Sequence, residues 1–114
     1  MSWPKDYRVR KRITFQEVQR RGSRKRASCF LALYIHGSGT KSRIGITVSK
    51  KVGNAVIRNK VKRWIREGLR REYPQLSGIW DVVIIAYPSA AHACAAQLQT
   101  DIRNVFLFLS RKSQ

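Results

Sequence analysis

The chain has 114 residues, enough for one domain with a modest core, and 43% of them are hydrophobic, which excludes a disordered chain. Its 24 Lys and Arg face only six Asp and Glu, a formal charge of +18 that destabilises a compact monomer unless a polyanion answers it. No apolar run approaches the roughly 20 residues of a membrane span, and the N-terminus MSWPKDYRVRKR lacks a signal peptide's apolar stretch, so a cytoplasmic protein is expected.

Residues 1–12 are polar and basic and read as an N-terminal arm of a single domain spanning residues 1–114. Thr14 and Glu17 form a T-x-x-E capping box, which predicts a short helix from about Phe15 to Arg21, stopped by Gly22. In RKRASCFLALYIHG a basic cluster passes into aromatic, aliphatic and β-branched residues, predicting a strand from about Ser28 to His36 that ends at the turn-forming HGSGTK. The following SRIGITVSKK alternates Ile44, Ile46 and Val48 with Gly45, Thr47 and Ser49, the period of a strand with one buried face. The GSG turn predicts that these two strands pair as an antiparallel hairpin, with room for a short extra strand in that region.

Gly53 and Asn54 then precede a long helix, about Ala55 to Tyr73, which Pro74 and Gly78 close off. WDVVIIAY, with its run of β-branched residues, predicts a strand buried on both faces and stopped by Pro88. From about Ala91 to Lys112, the residues Cys94, Leu98, Ile102, Val105, Phe106 and Leu109 recur at helical spacing, giving an amphipathic helix that packs on the sheet. The expected fold class is α+β, a sandwich in the order α-β-β-(β)-α-β-α. Cys29 and Cys94 stand apart without a CxxC pair or a Cys/His cluster, so both are expected as reduced core residues.

All the basic residues except Arg103, Arg111 and Lys112 precede residue 72, and they are dense in KKVGNAVIRNKVKRWIRE, residues 50–67. At about 100° per residue, Ile57, Val61, Trp64, Ile65, Gly68 and Leu69 share one side of the long helix, while Arg58, Asn59, Lys62, Arg63, Arg66 and Arg70 share the other. A solvated helix face usually mixes both signs; here Glu67 and Glu72 give only partial relief, and Lys50 and Lys51 extend the stripe. Over roughly 27 Å such a stripe can follow successive phosphates, and guanidinium forks match phosphate oxygens. A membrane-bound helix would keep its apolar side for lipid, but the flanking strands claim that side for a core. A DNA recognition helix would sit in a helix-turn-helix order that this chain lacks, so RNA is the expected partner, with neither membrane nor DNA. Asp6, Glu17, Glu67, Glu72, Asp81 and Asp101 form no pair at catalytic spacing, and His36 and His92 are isolated. No catalytic residue is therefore expected in the protein, and no metal ligand is assigned.

SRIGITVSKKVGNAVIRNKVKRWIRE resembles the signature of the bacterial ribonuclease P protein subunit family: a strand ending in V-S-K-K, a short turn, and a helix carrying the RNR motif. TFQEV, FLALY and DVVIIAY lie in the family's order and spacing, so the resemblance covers roughly residues 8–110. It implies a protein that assists an RNA catalyst in endonucleolytic removal of the 5′ leader from precursor tRNA. The implied partners are the ribonuclease P RNA subunit and precursor tRNA, and the RNA-catalysed reaction requires Mg²⁺. By position, the resemblance gives contact with the RNA subunit to Arg58, Asn59, Lys60, Lys62, Arg63 and Arg66, and also to Lys50 and Lys51. It implies a cleft for the single-stranded leader between the first helix and one sheet face, with Phe15, Arg12 and Tyr87, where an exposed ring stacks on a base. The alternative for Phe15 is a hydrophobic anchor of its helix.

A left-handed strand–helix–strand crossover is also implied by the resemblance. Three positions depart from the family pattern. Lys60 replaces the second Arg of the motif, keeping charge but losing the planar fork; Gln19 stands where a second aromatic is expected; Tyr87 stands where a basic residue is common. The alternative function for such a fold is a structural, ribosomal-type RNA-binding protein.

Overall fold

The computed structural model describes residues 12–113. Along the chain run α1 (Arg12–Arg21), β1 (Ser23–Arg26), β2 (Phe30–His36), β3 (Arg43–Thr47), α2 (Ala55–Glu72), β4 (Trp80–Ala86) and α3 (Ala95–Lys112), with single 3₁₀ turns at Tyr73–Gln75 and Pro88–His92. The strands form one sheet in the order β1-β2-β4-β3. The expected α+β architecture is what forms.

Strand β4 dictates that order. Its side chains alternate between faces, yet Val82 and Ile84 on one side and Val83 on the other are all buried, so it must be covered twice and flanked on both edges. It therefore lies between β2, to which it runs antiparallel, and β3, to which it runs parallel. The expected β2–β3 hairpin does not form. Strand β3 carries apolar Ile44 and Ile46 on one side but Arg43, Gly45 and Thr47 on the other, a composition suited to an edge. Helix α2 is the long connection that a parallel β3–β4 pair requires.

The hairpin that does form joins β1 to β2, closed by the Ala27 N–H donating to the Phe30 carbonyl at 2.9 Å. Ser28 thus lies in a turn, the expected strand begins at Phe30, and the basic cluster itself supplies the extra strand. Partners in an antiparallel register share a face, so Lys25 opposite Ala32 goes to one side, while Arg24 and Arg26 opposite Leu33 and Leu31 go to the other. Separating these charges lets an edge strand tolerate them.

Two cores follow from this parity. On one face Phe30, Ala32, Tyr34, Ile44, Trp80, Val82 and Ile84 meet Val61, Ile65 and Leu69 of α2 and Leu98, Ile102 and Leu109 of α3. Each such aliphatic side chain contributes about 1.5–3 kcal/mol when fully buried. On the other face a smaller cluster of Val18, Leu33 and Val83, with Phe15, Leu31, Ile35 and Ile85 packed around it, holds α1.

Helix α1 begins by Arg12, so Thr14 lies within it and does not cap it. Neither Arg12 nor Ile13 breaks a helix, and a Thr is tolerated inside one. Gly22 ends it as expected, its N–H donating to the Val18 carbonyl at 2.8 Å. Helix α2 starts at Asn54, whose side chain accepts from the Ile57 N–H at 3.0 Å. Helix α3 begins at Ala95, later than the expected Ala91, because Pro88 starts a separate 3₁₀ turn. That displaces Cys94 to the position preceding the helix, where it is exposed; only Cys29 is a core residue. Among the described residues no helix is long and apolar enough to cross a membrane.

Candidate nucleic-acid interface

Helix α2 is fixed from its apolar side, with Val61, Ile65 and Leu69 wholly buried. Gly68 brings it close to α3, and on that flank Arg71 donates to Gln99 Oε1 at 2.9 Å. With one face on the sheet and one flank on α3, about 100° per residue places Asn59, Arg63, Arg66 and Arg70 outward and Arg58 and Lys62 on the flank away from α3. Asn59, Arg63 and Arg70 are exposed; Arg58, Lys62 and Arg66 are half-buried.

Sequence reasoning gave this stripe relief from Glu72, but Glu72 turns inward. It is buried, and Arg103 of α3 donates to it at 3.0 Å. Asp81 and Asp101 are likewise buried and committed, Asp81 to Arg43 and Asp101 to the Cys29 N–H and the Ser28 hydroxyl. Among the described residues no acid pairs with Arg58, Lys62, Arg63, Arg66 or Arg70. The Arg58 Nε is buried without a hydrogen-bond partner, so the chain leaves that donor unsatisfied.

Lys60 stands apart from this patch. It lies on the α3 flank with its ammonium 5.1 Å from the centroid of the Trp64 ring. The departure from the RNR pattern thus acquires an intramolecular partner, a cation–π contact worth about 0.5–1 kcal/mol where exposed. Its i, i+4 spacing was visible in the sequence.

The face to which the resemblance assigns the leader is the opposite one, where α1 packs on β2 and β4. Phe15 is half-buried against Val18, Leu33 and Val83, so its anchoring role is real, and Gln19 one turn later is exposed. Arg12 opens α1, and its side chain lies outside the described residues, as does the N-terminal arm over residues 1–11. Tyr87 follows β4, half-buried, with its N–H donating to the Cys29 carbonyl at 2.9 Å. Sequence reasoning did not single out Arg24 and Arg26; the parity of β1 puts both on the α1 face of the sheet, and both are exposed. At the far end of that face Arg43 is spent. It grips Asp81 through two hydrogen bonds of 3.1 and 2.9 Å, which hold its guanidinium above its usual pKa despite partial burial.

Although α2 and the cleft lie on opposite faces, topology brings them to one end. Strands β3 and β4 run parallel, so Lys50, Lys51 and the start of α2 follow the same end of the sheet at which Tyr87 follows β4. Arg26 opposite Leu31, and Leu31 opposite Ile85, belong to that end too. Lys50 and Lys51 are exposed there. The start of α2, Lys50, Lys51, Arg26 and Tyr87 thus belong to one end of the sheet, cations beside an aromatic side chain, a combination suited to phosphates and unstacked bases.

A family model described as Ribonuclease P matches residues 3–109. The chain is 40% identical over 111 residues to the ribonuclease P protein component of Desulfosudis oleivorans, covering 97% of this chain and 92% of that one. It is 41% identical to that of Exiguobacterium sibiricum, covering 90% and 89%. Among solved structures it resembles the Staphylococcus aureus RNase P protein with a TM-score of 0.79 and 32% identity, covering 90% and 94%. The Thermotoga maritima RNase P protein gives 0.78 and 29%, covering 91% and 96%.

Proposed function

The chain belongs to the ribonuclease P protein component family, part of an endoribonuclease holoenzyme in tRNA processing, and from that premise we propose where it meets its RNAs. The outward and free flank of α2, with Arg58, Asn59, Lys62, Arg63 and Arg66, docks on the RNA subunit, joined by Lys50 and Lys51. Lys60 contributes at its margin. The cleft under α1 holds the single-stranded 5′ leader of precursor tRNA, with Phe15 and Tyr87 offering ring surface and Arg12, Arg24 and Arg26 offering charge.

The observation that carries this reading is the unanswered cationic face of α2: its cations find no acid among the described residues, because the chain's buried acids are used elsewhere. The protein lowers phosphate repulsion where the catalytic RNA and the leader come together. Mg²⁺ enters as a requirement of the RNA-catalysed reaction. Among the described residues no group of three His, Cys, Asp or Glu side chains could hold a metal, so no residue of the chain is given that task. The whole chain acts as one RNA-binding domain with a basic N-terminal arm, in the cytoplasm.

The test is cleavage of a 5′-extended precursor tRNA at low Mg²⁺ by ribonuclease P RNA alone, protein alone and both together. The reading expects efficient cleavage in the combined sample. No gain over RNA alone would overturn it, and cleavage by protein alone would demand an active site within the chain.

A further inference from the structure

The end of the sheet remote from Tyr87 carries a cavity of about 330 Å³ lined by Ser23, Tyr34, Ile35, His36, Trp80 and Lys112. Neither the α2 patch nor the α1 cleft uses it. Small-molecule sites run from about 300 to 1,000 Å³, so this one has room for a single compact group.

Its floor is aromatic. Tyr34 meets both Trp80 and Phe108 edge-on, each with ring centroids 5.7 Å apart. His36 stacks on Trp80 with centroids 4.4 Å and planes 24° apart. Trp80 is only 2% exposed, whereas His36 is exposed. The indole N–H already donates to the Ser77 carbonyl at 3.1 Å, so Trp80 supplies π surface and needs no further partner. An exposed imidazole backed by a buried indole has one ring face fixed and the other left for a ligand. Cations stand at the rim: Lys112 lines the cavity, 5.3 Å from the Phe108 centroid, and Lys25 lies 4.9 Å from the same ring.

We infer that this cavity takes a nucleobase of single-stranded RNA, stacked on the free face of His36, with the adjoining phosphate on Lys112. A flat aromatic platform with cations at its rim is the arrangement that binds single strands through stacking and charge. The formal charge of +18 disfavours a second copy of the chain as occupant and favours a polyanion. Seven residues of β4, about 20 Å at the rise of a strand, separate this cavity from the Tyr87 end, so it adds a contact beyond the leader cleft. The inference rests on the reading that the chain binds RNA. The strand is supplied either by the RNA subunit or by the precursor.

The experiment is a titration of the isotope-labelled full chain with a short single-stranded RNA, following the Trp80 indole and the Ile35 amide by NMR. Both should shift. His36→Ala and Lys112→Ala alter exposed side chains, so the fold is retained and is checked by the thermal midpoint. His36→Ala should raise the binding midpoint at these two probes on the order of tenfold, and His36→Phe should restore it. The Leu31 and Val83 amides, in the leader cleft, should keep theirs. Absence of a shift at Trp80 and Ile35, or a midpoint indifferent to both alanine variants, overturns the inference. The same variants then locate the strand. Weaker binding to the RNA subunit alone assigns the base to that subunit, weaker binding of precursor tRNA only by the assembled holoenzyme assigns it to the substrate, and indifference in both overturns the site. If Arg63→Ala weakens RNA binding where His36→Ala does not, this inference fails while the proposed function stands.

Discussion

Cys29 and Cys94 share a side chain and differ in everything around it. Burial pushes the Cys29 thiol above its usual pKa and the Asp101 carboxylate adds to this, against a lowering contribution from the Ser28 hydroxyl; Cys94 is exposed ahead of α3. The neutral thiol is thus the form the fold holds. Maleimide at neutral pH should label Cys94 rapidly and Cys29 only on unfolding, as mass mapping would show; equal rates would mean that the β1–β2 turn opens readily. The sign for stability is fixed by the same shift: the unfolded thiol ionises first, so this contribution is complete below the ordinary thiol pKa of about 8.5 and is lost as pH rises through the higher folded value. The α2 cations divide in a comparable way. Arg63 is exposed without an acidic partner among the described residues, while Lys60 is held over Trp64. Arg63→Ala should therefore flatten the salt dependence of RNA binding by about 0.7–0.9 in log–log slope, and Lys60→Ala by less. Equal losses in salt-titrated binding would place Lys60 within the RNA contact and not at its margin.

Gly68 sets how closely α2 and α3 pack. A Cβ there would lie 2.7 Å from Ile102 Cδ1 and 3.4 Å from Gln99 Cγ, and Ile102 is wholly buried, so it cannot swing into solvent. Gly68→Ala regains about 1 kcal/mol of helix propensity but meets an overpacking cost of about 1–3 kcal/mol. The expected result is a lower thermal midpoint, and a rise would show that the two helices are free to part. The hairpin end depends on α3 as well: Asp101 accepts the Cys29 N–H at 2.9 Å, and the Ser28 hydroxyl lies 2.9 and 2.8 Å from its two oxygens. Asp101→Ala would orphan a buried N–H and should lower unfolding free energy by about 1–3 kcal/mol in denaturant titration. These contacts also show what the sequence could disclose. The apolar sides of α2 and α3 and the doubly buried β4 were legible because side-chain parity is a local property of the backbone. Strand order was not, since the GSG turn between β2 and β3 says nothing of a third strand that needs both as neighbours. The basic β1 was hidden because its charge masks strand alternation, and with it went Arg24 and Arg26 on the α1 face of the sheet. The α2 patch was legible as a stripe, but the loss of Glu72 to Arg103 depends on where α3 lies.

At the scale of the molecule, a charge of +18 is distributed over a chain whose buried acids, Glu72, Asp81 and Asp101, are all engaged within it. What remains on the surface is mostly repulsion between like charges, concentrated on the α2 patch, Lys50–Lys51 and the β1 edge. Such repulsion is screenable: the Debye length falls from about 10 Å at 0.1 M salt to about 3 Å at 1 M. The buried pairs are screened far less, so added salt removes the destabilising part and leaves the stabilising part in place. Binding to RNA responds with the opposite sign, because phosphates neutralise the same cations and release counterions that salt restores. The thermal midpoint of the isolated protein should therefore rise with salt across the range in which its affinity for RNA falls, and calorimetry beside a binding isotherm at each salt concentration checks both. Parallel responses, with stability and affinity falling together, would mean that surface ion pairs hold the fold, and that the one-sided charge is not a vacancy awaiting a polyanion.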